Sequence, residues 1–341
     1  MFYQAQILNL YQYLKKTVLL FVGILLSVIG YCQDPELSQF YAAPLYTNPA
    51  MTGAAKNIRL GISARNQYTG LTNNYRTAVA AFDAYIPKVK SGIGMISSYD
   101  VAGDGFLTTS SFSAIYAFNA QLNREWGFNA AIQGGLVQKR FDFSKFIFED
   151  MIDPVRGPVL PTKESVPQEN ISFMNFGAGV LFFNKNIFTG LAVHNLTEPN
   201  QSFYYQNADS SSLKLPRRYT LHAGINIPLN SARYEEDQIS LSPNILFMQQ
   251  RNFFQMNAGF YVKQKALTLG AWFRQTSKNS DAFIVMAGLR FNAFKIGYSY
   301  DAVISKAATV AVGSHELSMV IELKPAYNNR RFGKAIKCPQ L

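Results

Sequence analysis

Few residues in this sequence are suited to chemistry. Three histidines, His194, His222 and His315, are its only imidazoles. Acyl transfer or proteolysis needs a nucleophile or an activated water beside an oriented base. No motif nominates such a partner. His222 is expected on a polar interior face, where lining the wall outweighs catalysis; a hydrolase built on it is the last of the alternatives. His315 and Glu316 open a strand-like segment, but Met319 occupies the second histidine position of an HExxH zinc motif. A hydrogen-bonding role at a rim fits the pair better than a metal. Asp100-Val-Ala-Gly-Asp104-Gly105 lacks the fuller ligand spacing and distal glutamate of a calcium loop. Aspartate and glycine there suit a hairpin turn. The acidic group Glu149, Asp150 and Asp153 is a candidate partner contact, as are Arg330 and Arg331 near the carboxyl end; a solvated loop is the simpler reading of the acidic group. No enzyme, cofactor or metal is expected.

The elements that must position these residues follow from composition and period. The chain has 341 residues, 48% hydrophobic and 14% aromatic but only 16% charged, with 27 Phe and 19 Tyr. Soluble domains carry roughly 25% charge. Segments with period-two alternation recur from residue 57 onward. Trp126, Phe128, Ala130, Ile132 and Leu136 oppose Asn129, Gln133 and Lys139. Tyr219, Leu221, Ala223 and Ile225 oppose Arg218, Thr220 and His222, and Leu317, Met319, Ile321 and Leu323 oppose Ser318 and Glu322. No amphipathic helix is available to cover the apolar face. Aromatics near segment ends (Tyr68, Tyr85, Tyr116, Trp126, Phe183, Tyr219, Phe273, Phe291) suit interfacial girdles. An open edge in lipid leaves backbone groups unpaired at a cost of several kcal/mol each, so the sheet has to close.

The expected fold is all-β, a transmembrane antiparallel outer-membrane barrel of about fourteen strands. The strands are expected at 57–68, 75–86, 91–101, 105–118, 124–140, 171–183, 186–195, 217–228, 238–249, 252–263, 265–276, 281–292, 294–301 and 314–324. Long connections at 141–170, 196–216 and 302–313 alternate with short ones, so the long loops are expected outside and both chain ends in the periplasm. Connection 229–237 is moderately long for the inner side. Arg218, Arg274, Arg290, Lys139 and Glu322 are expected to point inward, as an ion-paired network within a narrow lumen.

Residues 1–32 read as a signal peptide. Lys15 and Lys16 precede the apolar run TVLLFVGILLSVIG, and Gly30 and Cys32 suit a cleavage site before Gln33. That run is shorter than the roughly 20 residues a spanning helix needs. Tyr31 stands where a lipoprotein signal needs a small residue, so lipidation is not expected. Cleavage leaves Cys338 alone and no disulfide framework. Residues 33–56 hold Pro35, Pro44 and Pro49, poor strand material, yet also Phe40, Tyr41 and Leu45. They are expected to pack into the periplasmic mouth or the lumen as a plug, ahead of a barrel over 57–324 and a basic periplasmic tail over 325–341. The formal charge of +11 points to anionic lipid headgroups, lipopolysaccharide included, or an acidic partner rather than nucleic acid.

Several blocks carry a resemblance. They are DPELSQFYAAPLYTNPAMTG (34–53, with Gln39, Phe40, Tyr41, Pro44, Asn48, Pro49 and Gly53), RNQY from Arg65, and LPRRY ending in Arg218 and Tyr219. LSP at 241–243, GYSYD with Tyr298 and Asp301, and GSHEL with His315 and Glu316 complete the set. Together they resemble the PorP/SprF family, outer-membrane proteins of the Bacteroidetes type IX secretion and gliding-motility apparatus, with Tyr68 where tryptophan is common. The resemblance implies a barrel similar to fatty-acid transporters in strand number. It further implies a non-enzymatic part in exporting, tethering or anchoring secreted adhesins or enzymes that bear a C-terminal targeting domain, alongside the secretion machinery. A channel for a small hydrophobic solute is the alternative.

Overall fold

The computed structural model describes residues 34–70, 74–123, 125–153, 155–163, 168–203, 214–230, 238–277, 280–305 and 312–323. The signal-like segment, the basic tail with Arg330 and Arg331, and both cysteines lie outside the described residues.

The first strand shows the organising rule. Along β1 (Ile58–Gln67), Ile58, Leu60 and Ile62 point outward, while Arg59, Ser63 and Arg65 are buried. Apolar side chains face out and charged ones face in, the reverse of a water-soluble sheet. The rule repeats along β2 (Tyr75–Ile86), β3 (Ser91–Ala102), β4 (Leu107–Gln121) and β5 (Gly127–Phe141). It continues along β6 (Asn170–Phe183), β7 (Ile187–His194), β8 (Arg218–Ile225), β9 (Ser240–Gln250) and β10 (Phe253–Gln264). The ring ends with β11 (Leu267–Thr276), β12 (Ser280–Phe291), β13 (Phe294–Val303) and β14 (Ser314–Leu323). Exposed Leu221, Leu269, Val285, Ile296 and Leu317 lie on the outer belt. Lipid acyl chains are the solvent in which that belt is stable.

The 14 strands form one closed antiparallel barrel. Closure is made by β1 on β14, with Ile58 opposite Leu323 and Gln67 opposite Ser314. Closure removes the unpaired edge that hydrocarbon would penalise. The core therefore lies inside the ring. Leu37, Phe40, Tyr41 and Leu45 from the amino-terminal segment join inward residues such as Ile96, Leu181, Phe188, Trp272 and Ile284.

Several expectations need correction. The turn after β4 falls at 122–126, because Asn123 Oδ1 accepts the N–H groups of Glu125 (2.9 Å) and Trp126 (2.8 Å) and lets β4 run on to Gln121. The eighth strand breaks after Ile225, and Ile227–Pro228 pairs separately with Leu241 and Ser240. Tyr85 and Phe183 are not girdle residues: they share inward parity with Asp83 and Leu181 and are buried. Within the long connection after β5, Ile152 pairs with Pro158 and Asp153 with Gly157.

The two mouths differ. One carries the short connections 87–90, 122–126, 184–186, 265–266 and 292–293, and also the longer 226–239. The other carries the connections of 142–169 and 195–217, together with 304–313. They are termed below the short-turn mouth and the long-loop mouth.

Candidate functional site

The site is the lumen, and its builder is the segment 36–56. Its prolines keep it out of the sheet. Pro44 opens a single helical turn, Pro44–Thr47, and Pro49 opens a 3-10 turn, Pro49–Met51, whose first free N–H, that of Ala50, is taken by Asn48 Oδ1 at 2.9 Å. This irregular backbone sits at membrane depth because the wall satisfies it.

A charged clamp holds the start of the segment. Asp301 Oδ2 lies 2.9 Å from Arg65 Nη2 and 3.0 Å from Arg274 Nη1. Glu316 Oε2 lies 3.5 Å from Arg65 Nη1 and accepts the Ser38 backbone N–H at 2.6 Å. The Gln39 N–H donates to Glu316 Oε1 at 3.2 Å. Ser38 Oγ donates to Asp301 Oδ2 at 2.6 Å and accepts from Arg274 Nη2 at 2.8 Å and from Arg65 Nη1. Glu36 Oε1 meets Arg274 Nε at 2.8 Å and accepts from Gln255. The Gln39 amide is read at both ends, donating to the Glu316 carbonyl at 2.9 Å and accepting from Ser318 Oγ at 2.5 Å. Arg65, Arg274, Asp301 and Glu316 are each at most 3% exposed. Burying four charges is tolerable only because they are paired and hydrogen-bonded.

A second anchor is Asn48. Its Nδ2 donates to the Val180 carbonyl at 3.1 Å and meets His222 Nε2 at 3.0 Å. Since an amide nitrogen only donates, this His222 nitrogen accepts, which places the ring proton on Nδ1. Gly179 and Gly190 make room: a Cβ on either would strike the Asn48 side chain. Below Asn48, Asn129 Nδ2 donates to the Ala50 carbonyl at 3.0 Å, and the Gly53 N–H donates to Asp83 Oδ2 at 2.9 Å. Asp83 also pairs with Arg59 at 2.8 Å. At the short-turn mouth Lys56 Nζ lies 3.6 Å from the centre of the Tyr85 ring. Burial pulls the Lys56 ammonium down to about 8.

The arrangement holds a segment of the chain itself in the lumen. His222 faces Asn48 and the Phe188 ring, with ring centres 5.9 Å apart, instead of a hydroxyl nucleophile. His315 and Glu316 are adjacent in sequence but point to opposite faces: Glu316 is buried in the clamp, whereas His315 is exposed and its Nδ1 lies 2.7 Å from the Tyr298 hydroxyl. Asp100 Oδ1 accepts from Thr77 Oγ1 at 2.6 Å, and the turn beyond it has positive φ at Gly103, Asp104 and Gly105. Among the described residues no His, Cys, Asp or Glu group could hold a metal ion.

In the long connection after β5 the carboxylates brace the loop itself. Asp150 accepts from Lys163 N at 2.6 Å and from Thr162 Oγ1 at 3.1 Å. Asp153 Oδ1 accepts from the N–H groups of Val155 and Arg156, both at 2.8 Å, and these bonds hold its carboxyl below the usual range. Glu149 is exposed. Phe106, Phe141, Phe143 and Phe146 stack beside this loop, with Phe141 and Phe143 centres 4.7 Å apart.

A family model described as type IX secretion system membrane protein PorP/SprF matches residues 29–321. The chain belongs to that family. It is accordingly an outer-membrane component of type IX secretion and associates with that machinery. No curated protein matches the sequence. Among solved structures, the Acinetobacter baumannii outer membrane protein Omp33 aligns with 80% of this chain and 100% of its own at 7% identity and a TM-score of 0.44. A Pseudomonas aeruginosa FadL homologue aligns with 83% and 94% at 14% identity and 0.45, and a Rhodopseudomonas blastica porin triple mutant with 78% and 99% at 9% and 0.34. At these scores the likenesses carry no argument, and the architecture rests on the strand pairing itself.

The PorP/SprF blocks converge on the lumen with few exceptions. Gln39, Arg65, Asp301 and Glu316 share the clamp. Phe40 packs edge-on against Trp272 at 5.3 Å, and the Tyr41 hydroxyl donates to Asn244 at 3.1 Å. Arg218 donates to the Tyr46 carbonyl at 3.3 Å. Tyr219, Tyr298 and His315 instead lie on the outer face. Of the residues expected inward, Arg274, Arg218, Lys139 and Glu322 are buried, and Arg290 is half-buried at a strand end. Glu322 pairs with Lys295 at 2.9 Å. Sequence reasoning put Asn129 on the polar face without naming its partner and missed Asp83, which inward parity could have nominated. Glu36 and Ser38 fall inside the 34–53 block, but nothing there singled them out.

Proposed function

We propose that this PorP/SprF protein holds particular exported proteins, adhesins or enzymes with a C-terminal targeting domain, at the cell surface, with the long loops facing outward and no catalysis of its own. The observation that supports it is the occupied lumen. Residues 36–56 are hydrogen-bonded to β1, β2, β5, β6, β8, β9, β10, β11, β13 and β14, which leaves the mouth and its loops as the working surface. Glu149, Asp150 and Asp153 on the 142–169 connection belong to that surface; the tail with Arg330 and Arg331 is assigned to the periplasmic machinery. The alternative, a channel for a hydrophobic solute, needs a path past Phe40, Tyr41 and Leu45, all buried in the core.

The test is purification of the tagged barrel from native outer membrane, with deletion of its gene in parallel. An exported surface protein should co-purify and should be released into the medium by the deletion. Unchanged retention of every surface protein, with reduced uptake of a hydrophobic solute, would overturn the proposal in favour of the channel.

A further inference from the structure

We propose that the lumenal segment 36–56 threads the barrel from mouth to mouth, with its Lys56 end at the short-turn mouth and its Glu36 end at the long-loop mouth, by the strand ends that adjoin the 277–279 and 304–313 connections. The cellular address of that end, outside the cell, rests on the outward-loop reading above; the geometric assignment does not.

The register fixes the direction. Glu36 is bound to Arg274 and Gln255. Arg274 stands opposite Ala282 beside the 277–279 connection, and Gln255 opposite Thr276 at the same end. Ser38 is bound to Asp301 and Glu316, and Asp301 stands opposite Ser314, the residue that follows the 304–313 connection. These positions all adjoin the long-loop mouth. Gln39 reaches Ser318, farther down β14. Asn48 reaches Val180, late in β6, and Ala50 reaches Asn129, early in β5. Gly53 then meets Asp83, and Lys56 meets Tyr85, next to the 87–90 turn where Ile86 faces Ser91. Apart from the Tyr41 side chain, which reaches ahead to Asn244, these anchors run toward the short-turn mouth, where β1 begins at Ile58. A ten-residue strand rises about 33 Å, a span that twenty residues cover at roughly 1.7 Å each, the rise of a chain wound into turns as Pro44–Thr47 and Pro49–Met51 are.

The polarity is locked by charge. A segment entering from the short-turn side would withdraw Glu36 and Ser38 from Arg274, Asp301 and Glu316 and leave that buried group without its backbone and hydroxyl partners. The peptide bond before Glu36 therefore lies at the long-loop mouth, with the Glu36 side chain 20% exposed.

The test uses single cysteines in the full chain, with Cys32 and Cys338 replaced by serine, and a bulky membrane-impermeant maleimide on intact cells. Asp34→Cys is compared with Val155→Cys on the long loop and Lys185→Cys on a short turn. Labelling of Asp34→Cys together with Val155→Cys, while Lys185→Cys reacts only after permeabilisation, is the expected result. Asp34→Cys reacting only together with Lys185→Cys, or only after unfolding, overturns the proposal. Protection of Val155→Cys with labelling of Lys185→Cys overturns the outward-loop reading instead. In that case Asp34→Cys grouping with Val155→Cys still supports the long-loop assignment, and grouping with Lys185→Cys refutes it.

Discussion

Two walls of the same lumen solve the problem of inward polarity differently. On β11, β13, β14 and β1 the inward groups are Arg274, Asp301, Glu316 and Arg65, dry and locked to residues 36–39. On β3 to β6, toward the long-loop mouth, Ser98, Asp100, Ser111, Gln133 and Asn175 are only half-buried, and the buried Lys139 among them donates to Gln201 at 2.5 Å, a residue outside the 36–56 segment. Ser98 and Ser111 satisfy each other across the strands at 2.6 Å, and Asn175 Nδ2 donates to Asn195 at 2.7 Å. A charge taken out of water needs a fixed partner, whereas hydroxyls and amides near water exchange partners at little cost. The charged wall therefore dictates where the start of the segment lies.

The contrast is broken most severely by Arg274→Ala. It takes the cation from Glu36 and leaves Asp301 to Arg65 alone, and should cost about 3–5 kcal/mol, seen as an earlier transition in a denaturant titration of the barrel in vesicles. Asn48→Ala removes the partner of His222, Ala50 and Val180 while leaving every charge paired. Its expected cost is about 1–3 kcal/mol in the same titration. Ser111→Ala on the second wall should fall within about 0.5 kcal/mol of the parent. A loss as large as that of Asn48→Ala would mean that the two walls are not energetically distinct.

The smallest effect concerns pH at the short-turn mouth. Burial lowers Lys56 from its ordinary 10.5 to about 8, although the Tyr85 ring face works in the opposite direction by favouring the charged form. Between those values the unfolded chain holds a proton that the folded barrel has released, so stability should rise as pH goes from about 8 toward 10.5. Lys56→Met should flatten that rise. An unchanged slope would show that the ring cancels the burial.

Much of the wall was legible because a strand's side-chain period is two and one face meets lipid: parity alone places Arg65, Arg218, His222 and Arg274 inside. The same rule, applied in place of aromatic position, would have placed Tyr85 and Phe183 inside too. Strand ends were less legible, since the stop of β4 depends on one asparagine side chain bridging to two backbone N–H groups. The clamp could not be read at all as a set of pairings. Ser38 and Glu316 are separated by 278 residues, and no local pattern specifies which inward carboxylate receives which backbone N–H. The family blocks marked several of the participants without showing that they meet.

The clamp straddles the junction of β1 with β14, the strands most distant in the chain and adjacent in the ring. Arg65 stands on one side of that junction, Glu316 and Ser318 on the other, and residues 38–39 bind across it. Closing the circumference and filling the bore thus draw on the same contacts. A ring that shut while still empty would trap unshielded carboxylates and guanidinium groups at its own weld, so the last pairing to form carries a built-in check that the interior is already in place.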